Sequence, residues 1–167
     1  NNGIRNFIQV ENNDISKQSE EVGARGTTVI SRNIFYNVPA RRKFLKSDKI
    51  EFKHIMNEFI RLSLSHPEIV FTLRNNNQLL YNLKKGNQKK RIVEVLGKSV
   101  EKKIIPIEEK TNLVKIRGYI FKPEYLNKSR NNQFLFINNR YVKSSYLNHA
   151  ISMSYDGLVD KEIKPSY

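Results

Sequence analysis

The chain has 167 residues and no cysteine, with 30 lysines and arginines against 16 aspartates and glutamates, a formal charge of +14 and a pI near 10.0. Disulfides and cysteine-ligated zinc are excluded, and the charge points to an anionic partner, nucleic acid or an acidic membrane surface, without fixing the fold. No apolar run is long enough to span a bilayer and no signal-peptide pattern opens at Asn1, so the expectation is a soluble intracellular protein of one or two compact units.

The abundance of Asn and Ile beside Lys is the bias of an AT-rich genome, which raises lysine without any ligand. It does not explain why cations cluster at residues 41–46 and again at 84–103.

In chain order, residues 1–24 are polar and Asn-rich apart from the alternation Ile4-Arg5-Asn6-Phe7-Ile8-Gln9-Val10, which predicts a strand. Residues 27–34 alternate with β-branched side chains and predict another strand with one buried face. Asn37-Val38-Pro39 ends it, because proline fixes φ and biases Val38 away from helix. Arg41, Arg42, Lys43 and Lys46 follow with no carboxylate between them, a loop of concentrated positive charge suited to phosphate. The bland reading of the same loop is a solvated surface with no dedicated partner.

Residues 48–66 place Ile50, Phe52, Ile55, Met56, Phe59, Ile60 and Leu62 near helical spacing, with Asp48 as N-cap, Glu51 as its capping-box partner and His66-Pro67 as the stop. The aromatic and Met side chains of that helix read as core. Strands at 68–74 and 78–83 flank an Asn75-Asn76-Asn77 turn, and a basic helix from about 87 to 96 stops at Gly97. Further strands are expected at 103–107, 113–121 and 133–138, with a flexible loop at 128–132. Asn138-Asn139 turns the chain into Arg140-Tyr141-Val142-Lys143, and Ser144 or Ser145 caps a last helix to about Tyr155.

This order is α+β. His54, His66 and His149 lack metal-ligand spacing, Asp156, Asp160 and Glu162 form no acid–base pair, and no Ser/His/Asp set or Gly-rich phosphate cradle occurs. No self-contained active site is legible.

The run GTTVISRNIFYNVPARRKFLKS at 26–47 resembles the signature GT-x-V-x-V-x-x-LF-x-N-x-PARRKFL of the MutL family of bacterial mismatch-repair proteins. The run FLFINNRYVKSSYLNHAI at 134–151 is similar to that family's second signature, F/Y-V-N-x-R-x-V/M followed by H-A-I. The resemblance implies a transducer domain of ribosomal-protein-like two-layer fold at 48–167, preceded at 1–47 by the C-terminal part of a GHKL ATPase domain.

The family's ATP chemistry needs a general-base Glu, an Asn for Mg²⁺, an Asp-x-Gly-x-Gly adenine site, a glycine-rich lid and a His-Pro-x-Lys lysine. None lies in this sequence. The resemblance therefore implies a fragment inactive alone, with ATP and Mg²⁺ belonging to the intact parent and Thr27 the one nucleotide-site residue retained.

It further implies that Arg41, Arg42, Lys43 and Lys46 contact duplex DNA first, and Arg140 and Lys143 second. Ser145 falls where relatives carry another cation. ATP would order the loop 36–45. Partners would be duplex DNA, a MutS-type mismatch-recognition protein and a second copy of the parent, with no membrane, in a bacterial cytoplasm at the nucleoid. The alternative is a stand-alone nucleic-acid-binding module of ribosomal-protein type, preferring RNA. A type II topoisomerase transducer shares the fold, but the two signatures argue against it.

Overall fold

A computed structural model of the chain describes residues 3–128 and 132–167. Residues 129–131 of the expected 128–132 loop lie outside the described residues. Contacts divide the chain into two units, Asn1–Glu51 and Phe52–Tyr167.

Unit 1 opens with an antiparallel hairpin, β1 (Ile4–Glu11) and β2 (Asp14–Val22). Asn12 and Asn13 form its two-residue loop with φ of 51° and 72°. A hairpin loop whose twist matches the strands needs left-handed backbone at both positions, and asparagine tolerates it better than other side chains. Sequence reading found β1 and missed β2. The strand expected at 27–34 is absent: that stretch carries no ladder, and Val29, Ile30 and Ile34 are 87%, 66% and 60% exposed. Alternation permits a strand but does not supply the neighbour whose N–H and C=O groups complete it.

After a short helix α1 (Pro39–Arg42), α2 (Asp48–Ser65) runs to His66-Pro67 as expected. Its cap sits one residue earlier than Asp48. The Ser47 carbonyl accepts from the Ile50 and Glu51 amides, and the Glu51 carboxylate accepts from the Lys46 amide at 2.8 Å.

In unit 2, β3 (Phe71–Asn75) and β4 (Gln78–Leu83) pair across Asn76-Asn77, both at positive φ. Helix α3 (Gln88–Leu96) is capped by Asn87, whose side chain accepts from the Lys90 amide at 2.9 Å. Gly97 ends it at φ 101°, a conformation that a side chain would strain.

A 3-10 turn Lys98–Val100 leads into β5 (Ile104–Lys110), paired with β6 (Lys115–Phe121). The short pair β7 (Phe136–Ile137) and β8 (Arg140–Tyr141) turns at Asn138-Asn139, and α4 (Ser145–Met153) is capped by the Ser144 hydroxyl. The last residues lie between β6 and 132–134: the Ser166 carbonyl accepts from the Phe121 amide at 3.0 Å, and the Tyr167 carbonyl from Phe134 at 2.7 Å.

The core of unit 2 is two linked clusters. Leu64, Leu83 and Val95 pack with Phe59, Phe71, Tyr81 and Phe136, while Val100, Ile104 and Phe121 pack with Tyr119 and Leu126, and Ile92 and Leu96 touch both.

Arg91 is also inside, 1% exposed. It donates to the carbonyls of Ser63, His66, Pro67, Ile69 and Lys84 at 2.7–3.3 Å, so one guanidinium satisfies the end of α2, the turn after it and the end of β4. A planar fork of donors is the side chain that can reach this many carbonyls, and the Glu94 carboxylate lies 3.9 Å from its Nε.

Candidate nucleic-acid interface

The cations expected to meet phosphate sit on a tightly wound segment of unit 1. Asn33 and Phe35 are left-handed at φ 50° and 61°, and the Tyr36 and Val38 amides donate to Asn33 and Phe35 carbonyls. A bulky aromatic in that region is strained by about 1–3 kcal/mol.

Proline then enters at the first position of α1, where its missing N–H costs nothing, and the Arg42 and Lys43 amides donate to Val38 and Pro39. The expected loop is thus one helical turn carrying Arg41 and Arg42, with Lys43 and Lys46 just beyond. All four are exposed, and among the described residues none makes an ion pair. Exposed guanidinium forks next to ammonium groups hold several phosphate oxygens of a polyanion without reading its sequence.

Arg140 and Lys143 belong to unit 2. Arg140 closes the Asn138-Asn139 turn opposite Ile137 and is exposed, as is Lys143 just before the Ser144 cap. Neighbouring strand residues point to opposite faces, so Arg140 faces away from Tyr141. The Tyr141 ring packs edge-on against Phe136 at 5.9 Å and lies under the Arg61 guanidinium at 4.2 Å.

Arg61 also pairs with Glu58 one turn earlier on α2. It anchors the β7–β8 hairpin to the long helix, and sequence reading overlooked it. The spacing of Glu58 and Arg61 signals their ion pair but not the contact with Tyr141.

His66 Nδ1 lies 2.9 Å from Glu68, whose carboxyl is held below the usual carboxylate range by its own backbone amide and by that imidazole. His54 and His149 are exposed, and no group of three or more acidic or histidine side chains arranged for a metal occurs among the described residues. Thr27 is exposed in the unpaired stretch, and Gly26 before it, at φ 155°, has open space where a Cβ would stand. An isolated hydroxyl and one glycine do not make a triphosphate cradle, so the residues present do not fit ATP or Mg²⁺ by themselves. No chemical step is routed through them.

Residues 92–167 match the family model described as "DNA mismatch repair protein, C-terminal domain". The full chain is 43% identical to the DNA mismatch repair protein MutL of Christiangramia forsetii, covering 27% of that relative. The chain belongs to the MutL family.

It is also 42% identical over 160 residues to the MutL of Flavobacterium johnsoniae, covering 96% of this chain and 25% of the relative. The chain thus spans about a quarter of the length of these curated MutL proteins, at 27% and 25%. Among solved structures it resembles the Aquifex aeolicus MutL ATPase domain complexed with ADP, at 26% identity and a TM-score of 0.62, covering 84% of this chain and 53% of that one. The ATPase domain of the mismatch repair endonuclease MutL from the same organism matches at 23% identity and a TM-score of 0.65, covering 94% of this chain and 59% of that one, a likeness of fold. The α+β fold class and its MutL ATPase and transducer affinity follow from these matches.

Proposed function

We propose that the chain is the DNA-engaging and relay portion of a MutL-type mismatch-repair protein in the bacterial cytoplasm. In this reading residues 1–47 close a GHKL ATPase domain and 48–167 form the transducer. Together they couple ATP-driven dimerisation of the parent to duplex DNA and to a MutS-type partner at the nucleoid.

The observation that carries it is the α1 turn: Arg41, Arg42, Lys43 and Lys46 are exposed and unpaired among the described residues, inside the first family signature. Arg140 and Lys143, exposed inside the second signature, support it. So does the ADP named with an Aquifex aeolicus relative.

The chemistry follows from charge. Each neutralised phosphate releases condensed counterions, so binding is independent of sequence and weakens steeply with salt, with a slope of roughly −0.9 per contact. Guanidinium groups grip two phosphate oxygens each, and the lysines add point charge. Thr27 contributes to nucleotide binding only in company with residues this chain does not contain.

The test is duplex binding across a salt series. Arg41→Glu, Arg42→Glu and Lys46→Glu should each weaken binding alike on unrelated sequences and flatten the slope by about one unit. Equal losses from Lys110→Glu or Lys161→Glu would reduce the effect to net charge and remove the site. Structured RNA outcompeting duplex DNA would favour the stand-alone ribosomal-type module.

A further inference from the structure

Residues 84–103 carry seven lysines and one arginine against two glutamates. The arginine, Arg91, is committed inside the fold to five carbonyls. The two carboxylates are taken: Glu101 lies 3.7 Å from Lys89, and Glu94 lies 4.0 Å from Lys90 and 3.9 Å from Arg91. Lys84, Lys85, Lys98 and Lys102 are exposed and make no ion pair among the described residues.

These lysines bracket α3: Lys84 and Lys85 precede it, Lys89 and Lys90 lie on its first turn, and Lys98 and Lys102 follow it. The inner face of the helix, Arg91, Val95 and the partly buried Ile92 and Leu96, is fixed on the core. Lys84 and Lys85 follow β4 just before the helix, and the Lys89–Glu101 pair ties the residue after the 3-10 turn Lys98–Val100 to the first turn of α3. An open groove of about 340 Å³ runs there, lined by Asn87, Lys89, Lys90, Val93, Glu94 and Glu101.

The first turn of α3 contains no acidic residue but holds Lys89 and Lys90. Cations there oppose the positive end of the helix dipole, so the arrangement works against the free protein. An external polyanion relieves both that repulsion and the crowding of unpaired ammonium groups.

We infer that this lysine ridge is a second duplex-binding surface, distinct in sequence and in elements from the α1 turn and from Arg140 and Lys143. Its partner is the phosphate backbone of duplex DNA. The nine residues of α3 extend about 13 Å, which matches about four phosphate steps of one strand at about 3.4 Å each. Residues 84–103 contain no aromatic side chain, and the neighbouring Tyr125 ring already carries the Lys103 ammonium at 5.7 Å from its centroid, so the ridge offers no row of free rings on which successive unpaired bases would stack, which favours a duplex over a single strand. The inference rests on the DNA-binding reading above but on separate residues.

The experiment measures binding of a fluorescent 24-base-pair duplex to the full chain across a salt series. A triple variant Lys84→Gln, Lys85→Gln, Lys98→Gln should flatten the salt slope by about two to three units, whereas Lys17→Gln, Lys110→Gln, Lys161→Gln should leave it within about half a unit. These lysines are exposed, so thermal melting should match the parent for both.

Lys90→Gln adds a second readout. It should weaken duplex binding while leaving the melting temperature equal or higher, the signature of a charge kept against the fold. A merely structural lysine would lower it.

Equal slopes for ridge and control triples overturn the ridge, as does preferential loss of binding to a single-stranded DNA or RNA competitor. A variant of the α1 turn, Arg41→Gln, Arg42→Gln, Lys46→Gln, run in parallel separates the two assignments. If it loses binding while the ridge triple does not, only the ridge fails. If the ridge triple loses binding while it does not, the ridge stands and the α1 assignment falls. A parent chain that binds no duplex overturns both.

Discussion

Unit 1 and unit 2 are built from the same vocabulary, Asn-Asn hairpins and helices, yet only unit 2 has an interior. Among the described residues of unit 1 no side chain is buried, and Ile4, Ile8, Val29, Ile34 and Phe44 are all more than half exposed. In unit 2, Leu64, Leu83, Val95, Val100, Ile104 and Phe121 are each 7% exposed or less. The difference teaches that alternation and turn chemistry set local geometry, while burial decides which geometry is held. An apolar side chain adds about 1.5–3 kcal/mol only where it leaves water.

Arg91 gives the strongest way to break unit 2. Arg91→Ala removes the guanidinium donor of five carbonyls, of which those of His66 and Pro67 keep a backbone donor and that of Ser63 is fully buried, and should cost about 3 kcal/mol in urea denaturation. Arg91→Met, which keeps most of the volume, should be nearly as harmful, because the loss lies in the hydrogen bonds. A cost below about 1 kcal/mol for either would show that water replaces the guanidinium.

The same contrast can be sharpened with one methyl-rich side chain from each unit. Leu83→Ala should destabilise by about 2–5 kcal/mol, since the site sits between α2 and α3 and cannot collapse. Val29→Ala, at an 87% exposed position, should stay within about 0.5 kcal/mol. Comparable costs would mean that 27–34 is packed in solution.

These contrasts explain what the sequence made legible. Helix α2, helix α3 with its Gly97 stop, and the hairpins at Asn76-Asn77 and Asn138-Asn139 were readable because each carries its own stop or turn residue, whereas the Asn87 cap of α3 came from the structure. Strand β2 was missed although Asn12-Asn13 is the same turn signal, because DISKQSEEV offers no apolar alternation behind it. The strand at 27–34 was expected in error for the opposite reason: good alternation, no partner.

The basic residues of the candidate site were legible as charge. Their helical turn was not, since Pro39 marks a break as readily as a helix start. Nor was the role of Arg61, which depends on Tyr141 approaching from 80 residues away in sequence.

A smaller effect tests the shared turn. Asn76→Ala forces a Cβ-bearing residue without a compensating side chain at φ 44° and should cost unit 2 about 1 kcal/mol. Asn12→Ala, at φ 51°, should open β1–β2 by a similar amount, read from hydrogen exchange of the hairpin's own amides. Unchanged protection there would show that strand pairing, and not the turn, holds the hairpin.

The smallest expected effect lies at Tyr155 and appears only in alkali. Its side chain is buried, 6% exposed, and its hydroxyl donates to the Phe121 carbonyl at 3.4 Å. Burial raises the phenol above its ordinary value of 10.0, because the phenolate would lose hydration. The folded state therefore keeps a proton that the unfolded chain releases.

The stability this provides is complete below the unfolded value and is lost as pH rises from there through the folded value. Tyr155→Phe removes that titration and one long hydrogen bond, so at pH 7 it should cost no more than about 0.5 kcal/mol. Above about pH 10 the variant should lose less stability than the parent, so that the two urea midpoints converge or cross. Every other ionisable group is common to both proteins and cancels in the difference. Parallel curves from pH 7 to 11 would place the hydroxyl in contact with water, and would remove Tyr155 from the interior that distinguishes unit 2.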